Sequence, residues 1–249
     1  MRVVRIWQDE DVRYGLADES TVTLISDEPF AAWEAEGIIP LSKAQLLAPV
    51  IPTKIVCVGV NYRGHAAEMG HELPHEPVIF MKPPTAINGP EGEIRLPEGI
   101  EVVDYEAELA VVIGRRTHMV RPDEAVSHVL GFLCANDVTS RELQKRDGQW
   151  TRAKGFDTFC PVGPWVETDV DPTDLQIESL LNGEVKQSAR TSDMIFNVYE
   201  LVSFISGIMT LLPGDIVLTG TPQGVGPMKR GDVVEVRIEG IGSLVNHVV

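Results

Sequence analysis

The chain has 249 residues, with 21 Lys and Arg against 37 Asp and Glu and a net charge of −16. That length accommodates one large domain, or a catalytic domain with a small appendage, and a sizeable core. The negative field opposes nucleic acid and anionic membrane surfaces as partners, and it admits an anionic small molecule only where a metal or a basic cluster reverses it locally.

The start, MRVVRIWQDEDVRYG, has no apolar stretch behind its positive charge, and no segment approaches the roughly 18 apolar residues of a membrane span. Neither secretion nor membrane insertion is expected. The first residues alternate short β-like runs with polar turns, which predicts a small meander. Pro40, Pro49 and Pro52 then punctuate the chain, and a boundary near residue 50 divides a small N-terminal β-containing domain, 1–50, from a larger domain, 51–249. Beyond it KIVCVGV, PVIFMK, AELAVVIG, HVLGFLCAN, DIVLTG and DVVEVRI read as strands, rich in β-branched residues and bounded by Gly, Pro or Asp. Cys57, Cys134 and Cys160 lie far apart in or beside such apolar runs, which predicts buried reduced thiols and a cytoplasmic location.

Thr139 followed by Glu142 has the spacing of a capping box and predicts a helix through about Lys145 or beyond. Asn182-Gly183 predicts a type I′ hairpin. Asn197 and Glu200 open a second helix, with apolar positions at Val198, Leu201, Val202, Ile205, Ile208, Met209 and Leu212 before Pro213-Gly214 stops it. The expected class is β-rich α+β, with a mixed β-roll or barrel-like core rather than a doubly wound sheet.

In DYEAELAVVIG, Glu106 and Glu108 alternate with apolar neighbours, so on one strand their carboxylates share a face about 6.6 Å apart. Asp137 ends the apolar run GFLCAN. Three carboxylates suit a hard octahedral cation, Mg²⁺ or Mn²⁺, better than zinc. On pattern alone, Glu106 and Glu108 fit an exposed edge strand as well, and Asp104 is read as a solvated neighbour. His65 and Glu68, three apart, share a helix side, and a histidine oriented by a carboxylate can take a proton from water near neutral pH. His71 and His75 read as surface histidines, since their spacing to His65 matches no zinc signature. Gly220, Thr221 and Gly224 in TGTPQGVG punctuate a loop after a strand, able to offer N–H groups and a hydroxyl to an oxyanion, and the missing Lys-Ser/Thr ending excludes a phosphate loop. No nucleotide or organic cofactor is indicated.

The ordered blocks VGVNYRGHAAEM, VIFMKP, YEAELAVVIG, NDVTSRELQ, WTRAKGFDTF and LTGTPQGVGP, over roughly residues 53–249, resemble the fumarylacetoacetate hydrolase family, whose smaller members include acylpyruvate hydrolases and oxaloacetate decarboxylases. The resemblance implies that Glu106, Glu108 and Asp137 bind one Mg²⁺ or Mn²⁺ per subunit and that His65 and Glu68 form a catalytic dyad on a mobile lid. It further implies that Lys154 meets developing negative charge, with Arg141, Gln144 and Thr221 as substrate contacts beside Gly220. Lys82 is a further candidate contact, with a structural role equally open, and Arg141 can equally lock Asp137 by an ion pair. Val60 stands where several acylpyruvate-cleaving relatives carry a basic residue. The implied activity is C–C hydrolysis of an acylpyruvate-type 2-oxo acid through an enolate, with isomerisation of a 2-hydroxyhepta-2,4-diene-1,7-dioate or decarboxylation of oxaloacetate as alternatives. A keto-acid sensor is the non-enzymatic rival, and a homodimer the expected assembly.

Overall fold

The computed structural model describes residues 1–70 and 72–249; His71 lies outside the described residues, and His75 is exposed. All six expected strands form, at Ile55–Gly59, Val78–Lys82, Ala107–Ile113, Val129–Asn136, Ile216–Leu218 and Val233–Ile238. Three sheets result, mixed ones of twelve and five strands and an antiparallel one of three, and among the described residues none closes into a barrel. The architecture is the expected β-rich roll.

Ala107–Ile113 is the spine of the twelve-stranded sheet, buried along its whole length between Val129–Asn136 and Ile216–Leu218. A strand covered on both faces must be apolar on both, which explains its near-continuous run of hydrophobic residues. Leu109, Val111 and Ile113 pack with Val202 and Ile205 of the helix Val198–Ile208 and with Ile177 and Val236 of the five-stranded sheet. Ala110 and Val112 face the other way, toward Ile55, Leu133 and Leu218. Glu108 is the residue of this strand that breaks the apolar pattern, and its period-two alternation places it on the Ala110 face.

The N-terminal meander forms as four antiparallel strands, Arg2–Gln8, Asp11–Ala17, Thr21–Ile25 and Ala35–Pro40, and joins the large sheet where Arg2 and Val3 pair with Glu167 and Val166. The Asn182-Gly183 turn forms between Gln176–Leu181 and Glu184–Arg190, with φ of 53° and 81° as a type I′ turn requires. Asn197 caps the second helix, accepting from the Tyr199 and Glu200 amides at 3.0 and 3.1 Å while Glu200 accepts from the Asn197 amide. That helix stops at Ile208, short of Leu212, because the chain turns extended at Met209 and Leu211 bridges to Thr117.

The other capping box does not form. Thr139 pairs with Asp104 in the three-stranded sheet, its hydroxyl donates to the Asp137 carbonyl, and Glu142 accepts from the Glu101 and Val102 amides. The helix therefore takes Ser140 rather than Thr139 as its N-cap, one residue later, and runs Arg141–Asp147. All three cysteines are free and buried, and burial pushes the Cys160 thiol up to about 12. No helix among the described residues is long and apolar enough to cross a membrane.

Candidate metal centre and active site

The stretch carrying the two glutamates is not one unbroken strand. Val103–Tyr105 pairs with Thr139–Ser140 and Gly226–Met228 in the small sheet, whereas Ala107–Ile113 belongs to the large one, and Glu106 sits at the break. There the Glu106 amide donates to the Asn136 side-chain oxygen at 2.9 Å, and the Glu106 carbonyl accepts from the Asp137 amide at 2.9 Å. Because Ala107 is paired with Asn136, these bonds set Asp137 opposite Glu106. Ligand oxygens of Glu106, Glu108 and Asp137 consequently lie within 4.8 Å of one another, all buried.

Cations hold two of these carboxylates. Lys154 is buried and donates to Glu106 Oε2 at 2.9 Å and to Asp137 Oδ2 at 2.5 Å, with its ammonium 5.0 Å from the Phe80 ring centroid. Lys82 donates to the other Asp137 oxygen and to the Val138 carbonyl. Arg141 donates to Glu106 Oε1 at 2.5 Å and to Asp104 Oδ2 at 2.7 Å. The ion pair considered for Arg141 thus falls on Asp104 and Glu106 rather than Asp137. Asp104, expected in solvent, is buried, because its register in the small sheet turns it onto this guanidinium.

Burial alone would raise the Glu106 carboxyl, but Lys154 and then Arg141 outweigh it and hold it at about 2. Among the described residues Glu108 has no such ion-pair partner. The Gly220 amide donates to its Oε2 at 2.7 Å, while burial, followed by the charges of Asp137 and Glu106, pushes its pKa well above the ordinary 4.5. Four carboxylates against three cations leave the cluster one positive charge short, and the shortfall falls on Glu108. Three convergent all-oxygen donors with an uncompensated buried charge fit a hard divalent cation.

The triad opens into a cavity of about 270 Å³ that His65, Gln144 and Lys154 also line. His65 is buried on the short helix Arg63–Glu68, with Nδ1 3.3 Å from Glu68 Oε2. The Gly224 amide donates to both Glu68 oxygens, at 3.1 and 3.2 Å, so the glycine loop holds the carboxylate that orients the histidine. Gln144 accepts from Arg141 through its oxygen at 2.9 Å, which turns its amide nitrogen into the remaining donor. Phe80 and Trp150 meet edge to face at 5.1 Å and, with Val58, Val60 and Met69, give the cavity an apolar side. A Cβ at Gly59 would come within 2.8 Å of the Trp150 ring, so glycine there lets the indole close the wall.

Three expected contacts lie differently. Lys82 is fully buried behind Asp137 and does not line the cavity. The Gly220 amide is spent on Glu108. Thr221 lines the cavity, but its hydroxyl donates to the Ala107 carbonyl at 2.9 Å and accepts from Gln187 at 2.8 Å. Gln187, also bonded to the Ala107 amide at 2.9 Å, and Asn136 fix the backbone that carries the glutamates, and sequence reading missed both. The Asn preceding Asp137 was a readable signal, whereas Gln187 approaches across 80 residues and carried none.

A β-rich roll that gathers three buried carboxylates and a histidine round one cavity is the architecture of an enzyme acting on small molecules. The chain matches the fumarylacetoacetate (FAA) hydrolase C-terminal family over residues 54–249 and the Rv2993c-like N-terminal family over residues 1–49. It belongs to the fumarylacetoacetate hydrolase family. It is 46% identical over 225 residues to a mitochondrial oxaloacetate tautomerase of Bos taurus, covering 85% of this chain and 72% of that protein. The crystal structure of 2-hydroxyhepta-2,4-diene-1,7-dioate isomerase from Mycobacterium marinum superposes with a TM-score of 0.93 at 50% identity, covering 100% of this chain and 98% of that one. Maleylpyruvate hydrolase from Sphingobium, in complex with manganese(II) and pyruvate, gives 0.84 at 29% identity, covering 100% and 99%.

Proposed function

We propose that this protein is a divalent-metal-dependent enzyme acting on small 2-oxo or enol carboxylates, and that its reaction is proton transfer at the carbon beside the 2-oxo group, a tautomerisation or isomerisation. The observation that carries the reading is the single cavity shared by His65 and the three converging carboxylates. Glu106, Glu108 and Asp137 would hold Mg²⁺ or Mn²⁺. When bound, such a cation supplies Lewis-acid polarisation of a substrate's carboxylate and 2-oxo oxygens. His65, with Nδ1 oriented by Glu68, moves the proton to or from the carbon as a general acid–base. Lys154 has committed two of its three N–H donors to Glu106 and Asp137, and its third, with the Gln144 amide nitrogen, meets negative charge developing on the 2-oxygen. Phe80 and Trp150 keep water from that side of the cavity.

The relatives named for tautomerisation and isomerisation, at 46% and 50% identity, stand nearer this chain than the hydrolase at 29%, which favours proton transfer over C–C cleavage. Hydrolysis of an acylpyruvate is the second reading, supported by the same His65–Glu68 pair acting on water. Oxaloacetate, an acylpyruvate and a 2-hydroxy-dienedioate, each supplied with Mg²⁺ and Mn²⁺ in deuterated water and followed by proton NMR, separate the two. Metal-dependent exchange or isomerisation with the carbon skeleton intact is expected. Release of pyruvate and a second carboxylic acid from the acylpyruvate at a higher kcat/KM would overturn the preference.

A further inference from the structure

Among the described residues the cavity is lined by one lysine that the carboxylate cluster does not use. Arg141, Gln144 and Lys145 stand at positions i, i+3 and i+4 of the helix Arg141–Asp147, so one helix face carries all three to the cavity wall. Arg141 and Lys154 are committed to Glu106, Asp104 and Asp137, and Lys82 is sealed behind them. Lys145 is exposed, and among the described residues it has neither an ion-pair nor a hydrogen-bond partner, although its neighbours Arg146 and Asp147 are paired. A lysine in a cavity whose other cations are neutralised is the group an incoming anion meets.

Charge sets what that anion can be. Asp104, Glu106, Glu108 and Asp137 against Lys82, Arg141 and Lys154 leave one negative charge, which a divalent cation turns into one positive. One carboxylate at the 2-oxo end of the substrate offsets it. A second carboxylate must be met elsewhere, and the apolar side formed by Val60, Phe80 and Trp150 offers it nothing.

We infer that Lys145 is a specificity-determining residue that pairs with a second carboxylate, selecting 2-oxo or enol dicarboxylates over monocarboxylates whose carbon chain lies along the Phe80–Trp150 side of the cavity. The inference rests on the proposed function, since it takes the 2-oxo carboxylate end to lie at the triad. The side chain is solvent-accessible, so the selection is moderate and falls as salt screens the pair.

Calorimetric titration of the Mn²⁺-loaded protein and of Lys145→Gln tests it, with oxalate, 2-oxopentanoate and 2-oxohexanoate, and the dicarboxylates 2-oxoglutarate and 2-oxoadipate as probes. The wild type is expected to bind at least one dicarboxylate about threefold to tenfold more tightly than the monocarboxylate of equal length, and to lose most of that margin in high salt. Lys145→Gln is expected to abolish the margin while oxalate binds both proteins equally, and Lys145→Glu to reverse it. Oxalate binding with no dicarboxylate preference in the wild type, or with a preference that survives in Lys145→Gln, overturns the role of Lys145 and leaves the metal-chelate reading standing. Failure of oxalate to bind at all overturns both.

Discussion

Replacing Lys154 by methionine keeps an unbranched side chain of similar length and removes one positive charge from between Glu106 and Asp137. Both carboxylates are buried, and removing one partner of such a pair leaves an uncompensated charge that costs about 3–5 kcal/mol. For a chain of this size about 1 kcal/mol moves Tm by roughly 2–4 °C, so the metal-free variant should melt on the order of 6–20 °C below the wild type at pH 7. The deficit must depend on pH in a definite sense. Glu106 is held at about 2, below its ordinary 4.5, by Lys154 and Arg141 against the opposing effect of burial. The stability this supplies is present above 4.5 and is lost as pH falls toward 2, so the gap between the two proteins is widest above pH 5 and narrows in acid. Calorimetric or circular-dichroism melts from pH 7 down to pH 3, without metal, measure it. A deficit below about 1 kcal/mol, or one unchanged across that range, would mean that Lys154 does not compensate these buried carboxylates.

Glu108→Gln removes a group whose pKa burial and the neighbouring Asp137 and Glu106 push well above 4.5. In the metal-free wild type its contribution is full below 4.5 and lost as pH rises through the elevated value, so the melting temperature of the variant should gain on the wild type with rising pH, while its shift with Mg²⁺ or Mn²⁺ disappears. For the same reason Mn²⁺ binding by the wild type should tighten as pH rises and release protons over the range in which Glu108 titrates; titrations at several pH values in buffers of different ionisation enthalpy count them, and a count of zero at every pH would contradict the assignment to Glu108. His65→Ala should lower kcat by at least about 100-fold and leave metal-dependent oxalate binding intact, and equal loss of both would place His65 in the metal site rather than in proton transfer. Unchanged turnover in that variant would favour a keto-acid sensor or a different base.

The strands were legible because β-branched runs between turn residues report burial locally, and the Asn182-Gly183 turn and the Asn197 cap are likewise determined by a few adjacent residues. The acid triad was legible as residue types, through their likeness to a known set of blocks. Its geometry was not: the break at Glu106 arises because Val103–Tyr105 and Ala107–Ile113 find partners in different sheets, with Asn136 filling the gap across 30 residues. The same long-range pairing drew Thr139 into a strand and displaced the predicted helix start, and it turned Asp104 from solvent onto Arg141. Lys145 carried no sequence signal, since a lysine in a helix between a glutamine and an arginine reads as surface until the cavity beside it is seen.

The proposed function requires Glu106, Glu108 and Asp137 to share one hard cation with room beside it for a two-oxygen ligand. Titration of Mn²⁺ into the protein, with and without oxalate, tests it most directly. One Mn²⁺ per chain is expected, with affinity raised by oxalate and lost in Glu108→Gln. Absence of Mn²⁺ binding, or binding indifferent both to oxalate and to that substitution, would contradict it.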